Sequence, residues 1–212
     1  MYQNLKGKRL LILGGIAPMV EVVERCHELG IEVYVTDYLK NSPAKKNADK
    51  SFMVSTTDID AVVKLCRDEC IDGIYTGNVD SMLPYYAQIC SEMNFPCYGN
   101  LETFQIMIDK KQFKAICSEY GVPIVDDYQE SDIDEGNLFY PIIIKPVDSS
   151  GSRGISIVRS QKELDFGIKK ALSYSPSKKY IVERYMESEE VVLYYYLQDG
   201  NPVFATMCDR YV

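Results

Sequence analysis

The chain has 212 residues, of which 46% are hydrophobic and 25% are charged, and its formal net charge is −8. This composition is typical of a globular protein and excludes collagen, long low-complexity disorder and a pure coiled coil. The excess of acidic residues opposes a nucleic-acid partner, because duplex binding requires a basic surface. A small anionic ligand stays compatible with it, since a few local lysines or arginines can hold one.

The first apolar stretch, residues 10–20, follows basic residues and superficially resembles a secretory signal. Gly14, Gly15 and Pro18 interrupt the stretch, and no small-residue cleavage site follows it. A buried strand that turns into a helix explains the pattern better. Since no other segment approaches the ~18 apolar residues of a membrane span, the sequence predicts a soluble protein without a membrane partner.

The first hundred residues alternate between predicted strands and helices. Strands are predicted at Arg9–Leu13, 31–35, 52–54, 73–76 and 96–98, with helices after the first, third and fourth of them. Gly30 is expected to end the first helix, and Asp58 to cap the second. This alternation indicates βαβ units, and therefore a Rossmann-like parallel sheet with right-handed crossovers.

The glycine turn after the first strand raises an alternative, a dinucleotide-dependent oxidoreductase. The turn, residues 14–19, lacks the third glycine of G-x-G-x-x-G, and Pro18 has no N–H to offer a pyrophosphate. Asp37, after the second strand, could bind a ribose, although acidic residues at strand ends are also common turn formers.

The seven cysteines and the single histidine predict neither disulfides nor a metal centre. The number of cysteines is odd, CxxC is absent, and a chain of this size needs no covalent staples. Cys66 and Cys70 are spaced to share one apolar helix face, and His27 falls on a solvated helix position. We therefore expect reduced, mostly buried thiols, no metal ligands and a cytoplasmic location.

A further helix is predicted to begin at Asp109-Lys110. Residues 109–112 have the pattern of a capping box, in which Asp109 accepts from the backbone and Gln112 reaches back. Lys110 then lies at a helix N-terminus, where the helix dipole disfavours a cation and a nearby anion would relieve the conflict. The helix ends at Gly121 and carries one apolar face, formed by Phe113, Ile116, Cys117 and Tyr120.

The most informative segment is residues 140–158, where two predicted strands, 142–144 and 155–158, enclose a Gly- and Ser-rich loop. Such a loop can bend so that its N–H groups and hydroxyls converge on a phosphate, with Lys145 and Arg153 adding positive charge. It is not a Walker loop, because the lysine precedes the glycines and a strand follows them. A mobile surface hairpin is the alternative interpretation.

Residues 180–190 are predicted to begin as a strand and then to break into a linker. Exposed backbone at that break could pair with an adenine edge, and Glu190 could accept hydrogen bonds from a ribose. A hairpin turning at Asp199-Gly200 follows. The acidic segment 126–135 lacks EF-hand spacing and is expected to be a solvated loop.

These segments, in this order, resemble the ATP-grasp superfamily, and specifically its carbamoyl-phosphate synthase large-subunit-like branch. The resemblance rests on Asp109-Lys110, on the KPxxSSGSRG stretch 145–154 and on VERYMESEE at 182–190, and it covers nearly the whole chain. It implies an α/β fold: a Rossmann-like parallel sheet, the pre-ATP-grasp domain, over residues 1–100. The α+β small lobe of the ATP-grasp domain would follow over residues 101–186, and the start of an incomplete second lobe over residues 187–212.

The resemblance also implies which residues bind phosphate. Lys110 and Lys145 would hold the α- and β-phosphates of ATP, and Arg153 would act in catalysis. The flexible loop would close over the β- and γ-phosphates with Ser149, Ser150, Gly151, Ser152 and Gly154.

The base and sugar of ATP have implied partners as well. Glu183, with the backbone of Tyr185 and Met186, would take the adenine, and Glu190 the ribose. The family often has Gly before the ribose-binding Glu, where this chain has Ser188-Glu189.

The chemistry that the resemblance implies is ATP-dependent ligation, in which a carboxylate becomes an acyl phosphate and a nucleophile then attacks it. ATP and Mg²⁺ would be the cofactors and a small carboxylate the substrate, and a homo-oligomer is compatible with this. Because the family's metal ligands lie beyond residue 212, we expect none here, and no turnover by this chain alone. A non-catalytic nucleotide-binding module is the alternative of a different class. Asn78, Asp80 and Ser81 are candidates for lining a substrate pocket.

Overall fold

The computed structural model describes residues 5–77, 79–149 and 151–210. Packing divides the chain into two compact units, residues 1–122 and 123–212. The helices within residues 101–119 thus pack with the first unit, whereas the family resemblance predicts a domain boundary after residue 100. That family boundary stays a prediction, because packing alone does not say where a family domain begins.

The first unit is built on a four-stranded parallel sheet with the strand order β3-β2-β1-β4. Its strands are β1 (Arg9–Leu13), β2 (Glu32–Thr36), β3 (Lys50–Phe52) and β4 (Gly73–Tyr75). Its helices are α1 (Met19–Glu28), α2 (Ile59–Asp68), α3 (Leu83–Met93), α4 (Leu101–Ile108) and α5 (Lys110–Glu119). The predicted α/β architecture with a parallel sheet is confirmed.

Alternate residues of β1 enter two different cores, one on each face of the sheet. Leu11 and Leu13 pack with residues of α2 and α3, whereas Ile12 packs with residues of α1. A strand that is buried on both faces must be apolar at successive positions. This burial explains the apolar run that superficially resembles a secretory signal.

The prediction of a fifth strand at residues 96–98 is wrong, because this segment does not form a β-strand. The ring of Tyr98 instead stacks on Tyr86 with the centroids 4.6 Å apart, and its hydroxyl donates to the Gly77 carbonyl at 2.9 Å. Side-chain packing therefore holds the segment, and Pro96 has no N–H to contribute to a sheet.

At the N-terminus of α5, the structure contains one of the two interactions of the predicted capping box, the one made by the Asp109 side chain. Asp109 Oδ1 accepts from the N–H groups of Lys111 and Gln112, both at 2.9 Å. The Asp109 N–H, which the other half would use, donates to the Gln105 carbonyl at 3.1 Å and so completes the last turn of α4. The predicted apolar face of α5 is largely exposed; Tyr120, for example, is 77% exposed.

The second unit contains a four-stranded antiparallel sheet with the order β5-β8-β6-β7, and a separate hairpin. The sheet strands are β5 (Asp127–Tyr128), β6 (Ile142–Pro146), β7 (Ser156–Val158) and β8 (Tyr180–Arg184), the hairpin strands β9 (Glu190–Gln198) and β10 (Asn201–Arg210), and the helices α6 (Glu130–Glu135) and α7 (Gln161–Tyr174). The segment 126–135 therefore contains β5 and α6, so its prediction as a loop is wrong, although none of its residues is buried and the expectation of solvation holds. Leu164 and Ala171 of α7 form a core with the buried side chains of β6 and β8.

All seven cysteines are free thiols. Burial raises the pKa of the Cys66 thiol to about 11, which makes it unreactive at neutral pH. Cys70 is exposed and lies beyond the end of α2 in a left-handed conformation, so it does not share the apolar face with Cys66.

His27 is exposed, as predicted, but its Nε2 lies 2.9 Å from Asp49 Oδ2. Across the described ranges, no helix has both the length and the apolar character that a bilayer crossing requires.

Candidate functional site

Lys145 lies near the end of β6, on the face of the antiparallel sheet opposite α7. Ile142 and Ile144 point into the core formed with α7, so by the alternation of a strand Ile143 and Lys145 project from the other face. Glu183 is the partner of Ile143 across the β6–β8 ladder, and directly opposed residues share a face. The sheet thus brings Lys145 and Glu183 to the same surface.

The ammonium of Lys145 forms an ion pair with the carboxylate of Glu183. The Glu183 side chain is only 6% exposed and that of Lys145 is 23% exposed. A carboxylate withdrawn from water to this extent is costly unless it is paired, and the Lys145 ammonium offsets part of that cost. Glu183, which the resemblance assigns to adenine, therefore directs its carboxylate at Lys145.

The Gly- and Ser-rich loop connects β6 to β7, and Gly154 is its most constrained position. Gly154 has φ +77°, and an added Cβ would lie 2.6 Å from Tyr174 Cβ and 2.8 Å from Pro146 Cγ. Only glycine satisfies both the conformation and the space. Ser152 also has a left-handed backbone, with φ 57°, and residues 151–153 are exposed. Ser150 lies outside the described residues.

Both ends of this loop are tied to α7 and to the residues that follow it. The Ser175 hydroxyl donates to Asp148 Oδ1 at 2.6 Å, and the Ser177 N–H donates to Asp148 Oδ2 at 2.9 Å. At the other end, Lys170 Nζ donates to the Ile155 carbonyl at 2.8 Å. The hydrogen bond from Ser175, followed by those from Ser177, lowers the pKa of Asp148 to about 2 despite partial desolvation.

The linker after β8 contains the residues that the resemblance assigns to adenine and ribose. The Tyr185 N–H donates to the Pro141 carbonyl at 3.0 Å, so this group is used within the unit, and the side chain of Met186 is exposed. Glu190 is the first residue of β9 and accepts a hydrogen bond from Arg210 Nη1 at 2.9 Å.

The remaining predicted residues belong to the first unit. Lys110 is the first residue of α5, as predicted, and is partly buried. Asp80 and Ser81 lie in a short 3-10 turn after β4. Asn78 is outside the described residues.

Asp37 does not have the geometry that the oxidoreductase alternative requires. Its side chain accepts from the Gly15 N–H at Oδ2 and from the Leu39 N–H at Oδ1, both at 2.8 Å, and the residue is buried. A Cβ on Gly15 would meet Ser42 Oγ at 2.3 Å, so Gly15 is required for close packing. Asp37 and Gly15 thus join the loops that follow β1 and β2, which leaves the ribose-binding hypothesis without support.

The chemistry of the Lys145 surface fits a phosphate-rich ligand. A fixed ammonium, an arginine on the exposed part of the loop and a run of small residues supply positive charge and N–H donors. Within the described ranges, no group of three or more His, Cys, Asp or Glu residues lies close enough together to hold a metal ion.

Residues 138–212 match the family model described as the ATP-grasp domain. This segment contains Lys145, the loop and Glu183. Residues 138–212 are therefore similar to part of an ATP-grasp domain.

Similar proteins extend the likeness to almost the whole chain. Formate-dependent phosphoribosylglycinamide formyltransferase of Sulfurisphaera tokodaii is 26% identical over 215 residues, which cover 94% of this chain and 53% of that protein. The chain thus spans about half the length of this curated relative.

Two solved structures show the same fold as this chain. The N5-carboxyaminoimidazole synthetase of Staphylococcus aureus, complexed with ADP, has a TM-score of 0.79 at 20% identity and matches 98% of this chain and 56% of its own. The biotin carboxylase domain of Hydrogenobacter thermophilus 2-oxoglutarate carboxylase, with MgADP and bicarbonate, has a TM-score of 0.77 at 23% identity and matches 95% of this chain and 50% of its own.

Proposed function

We propose that this chain is the ATP-binding portion of an ATP-dependent carboxylate ligase of the carbamoyl-phosphate synthase-like type. The observation that carries the proposal is the ion pair of Lys145 with the buried Glu183 at the beginning of the Gly/Ser loop. Both residues and the loop lie within the segment that matches the ATP-grasp domain.

The phosphates of ATP would be held chiefly from β6 and the loop. Lys145 would contact the α- and β-phosphates, and Ser149 and residues 151–154 would cover the β- and γ-phosphates. Arg153 is exposed on that loop and would neutralise charge on the transferred group. Lys110 would add a second ammonium, and its position at the N-terminus of α5 is one where a nearby anion is favourable.

The ion pair changes the role that we propose for Glu183 and leaves adenine to the backbone of the linker after β8. Because its carboxylate pairs with Lys145, we infer that Glu183 orients that ammonium, and that adenine is bound by the Tyr185 carbonyl and the Met186 backbone. Glu190 would accept from the ribose hydroxyls after exchanging its partner Arg210, which is exposed and weakly held.

The proposed reaction is transfer of the γ-phosphoryl group to a small carboxylate. A carboxylate oxygen attacks the γ-phosphorus, the bond from the γ-phosphorus to the β–γ bridging oxygen breaks, and ADP departs. A nucleophile then attacks the carbonyl carbon of the resulting acyl phosphate and expels inorganic phosphate. The names of the similar proteins include formate and bicarbonate, which favours a carboxylate of this size. Magnesium would enter with the nucleotide, and the protein residues supply position and charge.

Nucleotide binding by the purified chain tests the proposal directly. Titration calorimetry with ADP and Mg²⁺ should show binding, and Lys145→Ala should raise the Kd at least about tenfold, because a charge-assisted hydrogen bond contributes roughly 1.5–3 kcal/mol. Lys169→Ala removes an exposed lysine of α7 and should leave the Kd unchanged.

A second variant separates loss of binding from loss of folding. Lys145→Ala removes the Lys145 ion pair from the buried Glu183 carboxylate, so the double variant Lys145→Ala/Glu183→Gln should be more stable than the single one. Both should bind ADP weakly. Wild-type protein that binds no adenine nucleotide, or a Lys145→Ala variant that binds as tightly as wild type, would contradict the proposal.

A further inference from the structure

We propose that Asp148 is a positioning residue that fastens the Gly/Ser loop to the C-terminal end of α7, so that the loop is held ready for the β- and γ-phosphates of a nucleotide. This inference rests on the proposed function and assigns the device that orders its phosphate loop. It concerns a residue that contacts other parts of the protein rather than the nucleotide.

The attachment point for Asp148 is itself fixed. Ser175 is 1% exposed, its hydroxyl donates to Asp148 Oδ1 at 2.6 Å, and its oxygen accepts from the Lys179 N–H at 3.1 Å. The Ser177 N–H donates to Asp148 Oδ2 at 2.9 Å, so both carboxylate oxygens are used. A neighbouring backbone bond, from the Val147 N–H to the Lys179 carbonyl at 3.2 Å, holds the same place.

The far end of the loop returns to the same part of α7. Gly154 lies so close to Tyr174 that an added Cβ would be 2.6 Å from Tyr174 Cβ. The carbonyl of Ile155, the next residue, accepts from Lys170 Nζ at 2.8 Å. Residues 151–153 between the two attachments are exposed. The loop is therefore fixed at both ends by residues 170–179, and its residues 151–153 are open to solvent.

A loop fixed in this way loses less conformational entropy when it binds a phosphate. Without Asp148, the attachment at the start of the loop would be lost. The ligand would then have to order the loop when it binds, and the entropy lost in doing so would reduce its affinity. The effect should depend on which phosphates the ligand has. ADP and ATP reach the loop, whereas AMP carries only the α-phosphate that Lys145 is proposed to hold.

The test compares Asp148→Asn and Ser175→Ala with the matched control Asp165→Asn. The first removes the carboxylate and the second removes the buried hydroxyl that donates to it. Asp165→Asn makes the same chemical change as Asp148→Asn at an exposed position of α7. We expect the first two variants to raise the Kd of ADP and ATP about tenfold and to change that of AMP less than twofold, whereas Asp165→Asn changes neither.

Limited digestion with trypsin measures the loop without any nucleotide. Trypsin cleaves after Arg153, which is exposed, and cleavage requires local opening of the chain. Asp148→Asn and Ser175→Ala should be cut there several-fold faster than wild type and Asp165→Asn, as followed by mass spectrometry. Melting temperatures identify a variant that is globally unstable, and the other variant then carries the comparison.

The nucleotide titrations and the trypsin digestion together distinguish failure of this inference from failure of the proposed function. If wild type binds no adenine nucleotide but the Asp148→Asn loop is cut faster, the nucleotide assignment fails and the attachment stands. If wild type binds ADP while Asp148→Asn and Ser175→Ala match it in ADP affinity and in cleavage, the inference is overturned. An equal loss of AMP and ADP affinity would overturn it as well, because it would indicate a general structural role.

Discussion

Single residues of the loop meet two separate requirements, space and backbone conformation. Gly151 and Gly154 both have positive φ, but only Gly154 lies against other atoms where a Cβ would be. Gly151 has nothing within 4 Å of that position. The pair therefore allows the steric requirement to be measured apart from the conformational one.

Alanine substitution at these two glycines should have unequal effects on stability. Gly151→Ala should cost about 1 kcal/mol, since a left-handed alanine is strained by roughly that amount. Gly154→Ala adds a clash with Tyr174 and Pro146 and should cost about 2–4 kcal/mol in total. Urea denaturation followed by circular dichroism measures both. Equal costs for the two variants would show that the close approach at residue 154 is relieved by movement.

At the scale of an element, α7 packs on the antiparallel sheet through a glycine. Gly167 is buried in the middle of the helix, where an added Cβ would lie 2.8 Å from Ile144 Cδ1 and 2.9 Å from Val158 Cγ2. Both neighbours are themselves almost fully buried, so their methyl groups have little room to move.

Gly167→Ala therefore sets helix propensity against packing. Propensity alone would stabilise the helix by about 1 kcal/mol, but overpacking typically costs 1–3 kcal/mol. We expect net destabilisation, measured as a lower urea midpoint with an unchanged slope. Lys169→Ala, on the exposed side of the same helix, should shift the midpoint little. A more stable Gly167→Ala variant would mean that the side chains of Ile144 and Val158 can move to accommodate the added methyl group.

Elements with a clear local signal could be predicted from the sequence. The β1 prediction matches the structure at both ends because the four apolar residues 10–13 lie between a basic segment and two glycines. Asp58 caps α2 as expected and accepts from the Ala61 N–H at 3.1 Å. The segment 96–98 could not be predicted, since its apolar pattern reflects packing of Tyr98 on Tyr86 and not strand pairing. Local propensity does not contain such tertiary contacts.

The candidate site shows the same division. Lys145 and the loop could be identified, because a cation that ends a buried strand beside Gly and Ser residues is a local pattern. The partner of Asp148 could not, because Ser175 is distant along the chain and α7, which places it, was not among the predicted elements. The pairing of Glu183 with Lys145 likewise depends on the register of two strands.

At the scale of the whole molecule, each of the two units is packed by itself and contains a carboxylate of lowered pKa that joins distant parts of the chain. In the first unit, Asp72 accepts from Lys8 Nζ at 2.7 Å and from the Arg9 N–H at 2.9 Å, and so joins the start of β1 to the residue before β4. The hydrogen bond from Lys8, followed by that from Arg9, lowers the pKa of Asp72 below its usual value. In the second unit, Asp148 joins the loop to the end of α7.

Acid should therefore weaken the two units through different carboxylates. A carboxyl group whose pKa is lower in the folded state stabilises that state above its ordinary pKa, and the contribution is lost as the pH falls through the folded value. Asp72→Asn should reduce the hydrogen-exchange protection of peptides from β1 and β4 at pH 7, and the difference from wild type should shrink below about pH 4. Asp148→Asn should do the same for peptides from β6 and residues 175–179, with its difference persisting to about pH 2.

Exchange followed by mass spectrometry at pH 7 and pH 3 resolves the two sets of peptides, and Asp165→Asn, at an exposed position of α7, is the control. A difference between wild type and Asp72→Asn that grows as the pH falls from 7 to 3 would contradict the linkage, because its sign would then be reversed.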